Sequence, residues 1–369
     1  MAKIKLGIIG GGIDSAVGKA HVSAIRLSNE FDITACKFSK DLGLDKKSHN
    51  SYQIPWRSKP KDLKAFINEF KSELDMVLLL TPSTQHFDES SILIKSGMPF
   101  VTEKPVACSL DEVKKITKMI NKYPNIYSRF IHNYSGFPLY RELVRRAKKG
   151  FIGNIRDVRV QMPSDGYARI SVLGPPQNWR HTKSPIPMLS LDLGTHLCHL
   201  VSLLIGKSPG ILNSRQRVLN NKLDLIDDIQ IWNEREDGIS VSYWMSKGHL
   251  GIKNGLSIEV YGDNGSLKWE LLDPDHLVQS DINSNQLKIN RGSILRKLNQ
   301  LDRFKPGHPT GFIEAFANFY QDLSDDFHRF RKGQTPNIWI SPITEALEGL
   351  EFLHAATKSH QSRKWVKYE

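Results

Sequence analysis

Asp192 and His196 are residues whose types and spacing could do chemistry together. Four positions apart, they share one face if the segment is helical. A carboxylate beside an imidazole favours its charged form and fixes its orientation. Leu193, Leu197, Leu200 and Leu204 form a separate apolar stripe about a quarter turn away, at a step of ~100° per residue. The polar pair therefore points to the side of the packing face, into a possible cleft; the plainer alternative is a structural helix-capping pair. His199 continues the same face, but His196-x-x-His199 without a third ligand is a poor metal site, so no metal is expected. Lys104 follows a strand end, and Pro105 restricts it toward extended backbone. It is either an ordinary loop lysine or a cation for a developing alkoxide. A proton carrier in His196, an orienting acid in Asp192 and a polarising cation in Lys104 would suit alcohol oxidation, which also needs a hydride acceptor.

A site for that acceptor is suggested at Gly7–Gly18, between a predicted strand and a predicted helix. Glycines there let the backbone turn tightly and let amides approach a pyrophosphate, which the following helix N-terminus stabilises. Gly10 and Gly12 fit the GxGxxG pattern, whereas the third glycine is delayed to Gly18, after five intervening residues. No acid stands directly at the end of the second strand; Phe38 is followed by Ser39 and Lys40. A hydroxyl and a cation can accept a 2′-phosphate, so the cofactor is NAD or NADP with a slight lean to NADP. Asn178-Trp-Arg-His181 could line a sugar pocket, Trp179 stacking on a ring and Arg180 holding an anion, or it is simply a packed loop. Asn133 and Tyr134 have the same standing.

The elements that must position these residues alternate at first in a βαβ manner. Lys3–Gly10, Asp32–Phe38, Asp75–Thr81, Pro99–Thr102 and Ile126–His132 read as strands. Helices follow the glycine turn, run from about Gln85 to Ser96 before Gly97, and open at the capping box Ser109–Glu112. After a helix over Leu139–Lys149 the pattern changes to alternating strands at Arg156–Gln161, Ile229–Asn233, Ile239–Met245, Leu256–Tyr261 and Ser266–Leu271. Gly262–Gly265 is a turn between the last two. Phe312, Phe316, Phe319, Leu323 and Phe327 lie at helical spacing, a stripe that belongs in a core. The expected architecture is α/β: a doubly wound parallel sheet in a dinucleotide-binding domain over 1–131, then a substrate and oligomerisation domain over 132–369. The second has a large, mostly antiparallel open sheet, and the C-terminal helix is able to pack back on the first domain.

With these segments in order, the chain resembles the Gfo/Idh/MocA oxidoreductase family. The resemblance rests on the glycine turn, Thr81-Pro82 with His86, Glu103-Lys104-Pro105, Asp192-Leu-Gly-Thr-His196 and the closing Trp365-Val-Lys. It is nearest to a branch with an expanded Gly-Gly-Gly turn, a His-Asn-Tyr stretch (His132–Tyr134) and a late Gly-His-Pro (Gly307–Pro309), although Asp14 stands where that branch commonly has glycine. Residues and resemblance together assign Gly10, Gly12, Ile13, Ser39, Lys40, Thr81, Pro82, His86, Glu103 and Lys104 to the cofactor. They assign Lys104, Tyr134, Trp179, Arg180, Asp192 and His196 to the substrate. The resemblance implies hydride transfer to or from a sugar, cyclitol or nucleotide-sugar in a homodimer or homotetramer. A redox-assisted glycosidase and a non-catalytic regulator are the alternatives on the same fold.

Composition narrows the setting. The 369 residues suit two domains, and 39% hydrophobic with 24% charged residues suit globular folding. Net charge is +12, with basic groups at Arg141–Lys149 and from Lys288 through Arg291, Arg296, Lys297 and Arg303 to Lys305. No nucleic-acid motif accompanies them, so a solvated helix face and a basic loop are expected, and no nucleic-acid partner. Three scattered cysteines point to a reducing compartment. Without a secretory leader or an apolar run of ~20 residues, a cytoplasmic protein with no membrane partner is expected.

Overall fold

The computed structural model describes residues 2–182, 184–294 and 301–369. Arg296 and Lys297 of the basic stretch lie outside the described residues. The chain forms two compact units: one joins the chain up to Gly136 to Phe312–Leu347, the other joins Phe137–Gly311 to Glu348–Glu369.

The first unit is built on a five-stranded parallel sheet: β1 (Ile4–Gly10), β2 (Phe31–Lys37), β3 (Met76–Leu80), β4 (Phe100–Thr102) and β5 (Ser128–Phe130). Their order is β2-β1-β3-β4-β5. All five residues of β3 are buried, which is why it reads as a continuous apolar run rather than an alternating one. Strand order reverses between β1 and β3, and ligands bind such sheets beyond the strand ends at that switch. Helices α1 (Gly18–Ser28), α2 (Leu42–Ser51), α3 (Leu63–Phe70), α4 (His86–Ser96) and α5 (Leu110–Lys122) supply the crossovers. The capping box Ser109–Glu112 forms as the sequence indicates, and α4 ends at Gly97 with φ 66°.

The aromatic stripe is core. Helix Phe312–Arg331 returns to this unit and buries Phe316, Phe319, Tyr320, Leu323 and Phe327 with Ile25 of α1 and Phe31 of β2. Its first residue, Phe312, stays 43% exposed because it lies at the helix edge.

In the second unit, helix α6 (Pro138–Lys148) and helix Thr195–Ile205 accompany a nine-stranded sheet. The strands are β6 (Ile155–Pro163), β7 (Gly210–Arg217), β8 (Asp228–Arg235), β9 (Ser240–Ser246), β10 (Ser257–Gly262), β11 (Gly265–Glu270), β12 (His276–Asp281), β13 (Gln286–Asn290) and β14 (Val366–Tyr368). All neighbours are antiparallel except β6 and β9. The order is β13-β12-β11-β10-β6-β9-β8-β7-β14.

The basic segments are not simply solvated. Arg141 is buried, and Arg145 and Arg146 both clasp the fully buried Glu142. Arg291 is buried too, donating to the Phe304 and His308 carbonyls and pairing with Asp275 and Asp302. These cations tie elements and loops together. Among the described residues no helix is long and apolar enough to cross a membrane.

Candidate active site

The glycine turn leaves β1 with Gly10 at φ 78° and Gly11 at φ 72°, a region that favours glycine. A β-carbon on Gly10 would meet the Leu80 carbonyl oxygen at 2.7 Å, so β1 and β3 close on each other where they end. A β-carbon on Gly18 would lie 1.9 Å from the Gly11 carbonyl oxygen. The delayed third glycine thus admits the close helix–turn packing that the shorter pattern provides. The α1 N-cap is Val17, whose side chain caps nothing, and the first turn carries no acid. Ile13, 43% exposed, borders the turn, and its amide donates to Ser48 Oγ at 3.1 Å.

Beyond β2, one oxygen of the buried Asp45 accepts from the amides of Phe38 (2.8 Å) and Ser39 (3.1 Å). The Trp56 indole donates to the other oxygen at 3.1 Å. Ser39 Oγ accepts from the Asp41 amide at 3.1 Å, and Lys40 is exposed. Beyond β3, the Thr81 hydroxyl donates to Glu89 of α4. Burial pushes the Glu89 carboxyl up to about 7, against the Thr81 hydrogen bond and the Lys40 charge, which both act to lower it. Pro82 is exposed. His86 is buried, with Nδ1 2.7 Å from the Pro105 carbonyl and Nε2 2.8 Å from the Thr81 carbonyl. Its ring therefore bridges the ends of β3 and β4. Burial holds its pKa below the usual value although both carbonyls favour the charged form.

Beyond β4 comes Glu103-Lys104-Pro105, with a cis Lys104–Pro105 bond. Glu103 is buried; Oε1 accepts from His21 Nε2 at 2.8 Å and Oε2 from the Lys104 amide at 3.0 Å. Burial acts to raise the Glu103 carboxyl, but the His21 hydrogen bond and charge, with Lys104 and His86, hold it below the carboxylate range. His21 Nδ1 lies 2.6 Å from the Tyr320 hydroxyl. Tyr134 sits in the short turn Asn133–Gly136, its ring buried and edge-on to Phe312.

In the second unit, Asp192 lies in a π-helical turn, Ser190–Gly194, that leads into helix Thr195–Ile205. The i→i+5 turn changes the angular step assumed for an α-helix between Asp192 and His196, and such turns are frequent at functional sites. Arg180 Nη1 and Lys247 Nζ both donate to Asp192 Oδ2. Arg180 lies 4.3 Å above the Trp179 ring, whose Nε1 donates to Gln177 at 2.8 Å. Lys247 lies 5.2 Å from the ring centre of Tyr167. His196 and His199 are buried, and burial alone pushes His199 down to about 3. Among the described residues no three His, Cys, Asp or Glu side chains gather as metal ligands.

Several supporting side chains carry no sequence signal. Asp45, Glu89, His21 and Tyr320 fall on helices where each reads as an ordinary polar or core residue. Lys247 follows β9 as a lone lysine. Only Ser39-Lys40 without a terminal acid could have prompted a search for a carboxylate such as Asp45.

Comparison with known proteins places both units. Residues 4–130 match the oxidoreductase family with an NAD-binding Rossmann fold, and residues 140–268 match the GFO/IDH/MocA C-terminal domain. An uncharacterized oxidoreductase of Bacillus subtilis, YfiI, is 24% identical over 99% of this chain and 97% of its own. The scyllo-inositol 2-dehydrogenase (NAD(+)) of the same organism is 22% identical over 88% of this chain and 82% of its own. The solved structure of an inositol dehydrogenase homolog from Azotobacter vinelandii, complexed with NADH and myo-inositol, superposes with a TM-score of 0.87. It is 22% identical and covers 99% of this chain and 98% of its own.

Proposed function

Since the chain belongs to the Gfo/Idh/MocA family of NAD-binding Rossmann oxidoreductases, we propose that it moves a hydride between a nicotinamide and a hydroxyl or keto carbon of a sugar or cyclitol. The observation that carries this reading is the Gly10–Gly18 turn, closed so tightly on Leu80 and Gly11 that only glycine fits at its two ends. The cradle and the acid-free first turn of α1 suit a pyrophosphate, which would replace Ser15 Oγ as acceptor for the Val17 and Gly18 amides. Gly10, Gly12 and Ile13 would hold the dinucleotide, with Ser39, Lys40, Thr81, Pro82, His86 and Glu103 around it. When bound, the nicotinamide supplies or accepts the hydride.

The chain's own groups do the rest in this reading. Lys104 polarises the substrate oxygen, His196 carries its proton, and Asp192 orients. Arg180 and Lys247 both donate to Asp192 Oδ2 and fix the orientation of its carboxyl group. Trp179 offers aromatic surface to the sugar and Arg180 a hydrogen-bond fork, whereas the Tyr134 ring is buried against Phe312 and gives the sugar no face.

Between the two dinucleotides, the geometry beyond β2 supports NAD rather than the NADP to which Ser39 and Lys40 lean. The Ser39 amide already serves Asp45, and the buried Asp45 carboxylate would repel a phosphate there. Assembly as a homodimer or homotetramer belongs to the same proposal, supported by exposed Trp232 on the less buried side of β8. A cytoplasmic setting, the expectation from three cysteines scattered along the sequence, belongs to the same proposal.

The test is NADH binding by fluorescence, followed by NADH formation over a panel of myo-inositol, scyllo-inositol, other cyclitols and free or nucleotide-linked sugars. Binding with turnover of one or more polyols is expected. Failure to bind either dinucleotide, or binding with no turnover across the panel, overturns the reading.

A further inference from the structure

We infer that His21 and Tyr320 are positioning residues that act through Glu103 to fix the Lys104 main chain at the end of β4. The inference rests on the proposed function, because the role of Lys104 comes from it. Four groups stand in series within the first unit: Tyr320 hydroxyl, His21 imidazole, Glu103 carboxylate and Lys104 amide, at 2.6, 2.8 and 3.0 Å.

The carboxylate of Glu103 sets the direction of the series at its His21 end. Burial raises the Tyr320 phenol well above its usual value, so it keeps its proton and meets His21 Nδ1 as a neutral hydroxyl, able to donate or accept. In either case a proton on His21 Nε2 is aimed at Glu103 Oε1, because a carboxylate oxygen accepts. Glu103 Oε2 then accepts from the Lys104 amide. With both oxygens engaged, the carboxylate cannot turn without breaking a buried hydrogen bond.

Packing alone does not require this arrangement. His21 and Tyr320 are both fully buried and lie among Phe316, Phe319 and Phe31, where apolar side chains of similar size would fill the same space. Burying an imidazole, a phenol and a carboxylate is unfavourable unless each satisfies the next, and a satisfied series specifies one geometry. The series also joins two elements that matter to the reaction. His21 lies in the first turn of α1, directly after the glycine turn, and Glu103 precedes Lys104. One imidazole therefore links the dinucleotide helix to the polarising lysine.

The experiment uses Tyr320→Phe, His21→Gln and His21→Leu in the full chain. It reads amide hydrogen exchange at Lys104 with NADH bound, kcat and KM for the polyol that the panel identifies, and NADH affinity. Pro105 has no amide, which isolates the Lys104 signal. His21→Leu should speed Lys104 exchange by about tenfold and Tyr320→Phe by about threefold. The kcat should fall by roughly ten- to a hundredfold in His21→Leu, with KM and NADH affinity within about twofold, since small misplacements of a reacting group carry penalties of that size. His21→Gln keeps a donor toward Glu103 and should recover most of the turnover; a purely space-filling role gives no such rescue. Tyr320→Phe removes only a hydroxyl, so it answers the question should His21→Leu fail to fold. Wild-type Lys104 exchange in folded variants, or faster exchange with unchanged kcat, overturns the inference. If the wild type binds NADH but turns over no polyol, the proposed function fails instead, and Lys104 exchange alone decides whether the series holds that residue.

Discussion

Gly18 packs so closely on Gly11 that a β-carbon at residue 18 would lie 1.9 Å from the Gly11 carbonyl oxygen. The obstacle is backbone at the root of α1, so it cannot swing aside. At Gly12 the nearest atoms are side-chain oxygens, Asp14 Oδ1 at 3.0 Å and Ser48 Oγ at 3.1 Å, and φ is not positive. Gly12→Val is therefore expected to fold and to crowd the pyrophosphate, weakening NADH binding at least tenfold, or about 1.4 kcal/mol. Gly18→Ala is expected to lower the melting temperature as well. Fluorescence titration and thermal melting separate the two, and unchanged NADH affinity in folded Gly12→Val would sink the pyrophosphate assignment.

Dinucleotide preference should follow Asp45 rather than Lys40. NADH is expected to bind at least about tenfold more tightly than NADPH, a difference of one buried like-charge repulsion. Lys40→Ala should leave NADH affinity nearly unchanged, because the exposed side chain makes no required contact in this reading. Tighter NADPH binding that Lys40→Ala abolishes would restore the assignment to Ser39 and Lys40.

The parallel sheet was legible in the sequence because buried strands such as Met76–Leu80 leave unbroken apolar runs. The second sheet was only partly so. In β7 the inward positions include Ser214 and Gln216, so the apolar alternation that marks a half-buried strand is interrupted. Strands β13 and β14 are five and three residues long and lie at the sheet edges, where little burial constrains composition. The aromatic helix Phe312–Arg331 was read as core, but not as part of the first unit, because sequence order says nothing of where a late helix returns. At the candidate site the limit is similar. Lys104, Asp192 and His196 stand in recognisable spacings, whereas Arg180 and Lys247 converge on Asp192 from 12 and 55 residues away.

Glu89 should make stability depend on pH. Its folded pKa of about 7 lies above the ordinary 4.5, so the folded state holds the proton more tightly. The resulting stability is complete below pH 4.5 and is lost as pH rises through about 7. Discounted for solvent screening at this partly exposed group, the loss is about 2 kcal/mol. Glu89→Gln keeps an acceptor for Thr81 without the charge. In cofactor-free melts it should match the wild type at pH 5 and be more stable at pH 8. Equal stability of the two proteins at pH 8 would show that Glu89 ionises without penalty.

The roles given to Lys104, Asp192 and His196 predict a pattern of rates rather than a single loss. A general acid–base group typically contributes about 10²–10⁴-fold, so His196→Ala should lower turnover by that order. Lys104→Ala should act similarly by removing the charge that faces the alkoxide, with a much smaller change in NADH affinity. Asp192→Asn has a second consequence that the geometry adds. Arg180 and Lys247 lose their shared carboxylate, and partly buried cations left without it should weaken substrate binding as well as turnover. If Asp192 serves the reaction chiefly by orienting His196, its loss should matter little once His196 is gone, and the double variant should be about as slow as His196→Ala alone. Turnover of the single and double variants on the identified polyol is the deciding measurement. Near wild-type rates for His196→Ala would remove it from the reaction. Strictly multiplicative losses would mean that Asp192 acts with Arg180 and Lys247 on the substrate, independently of the proton carrier.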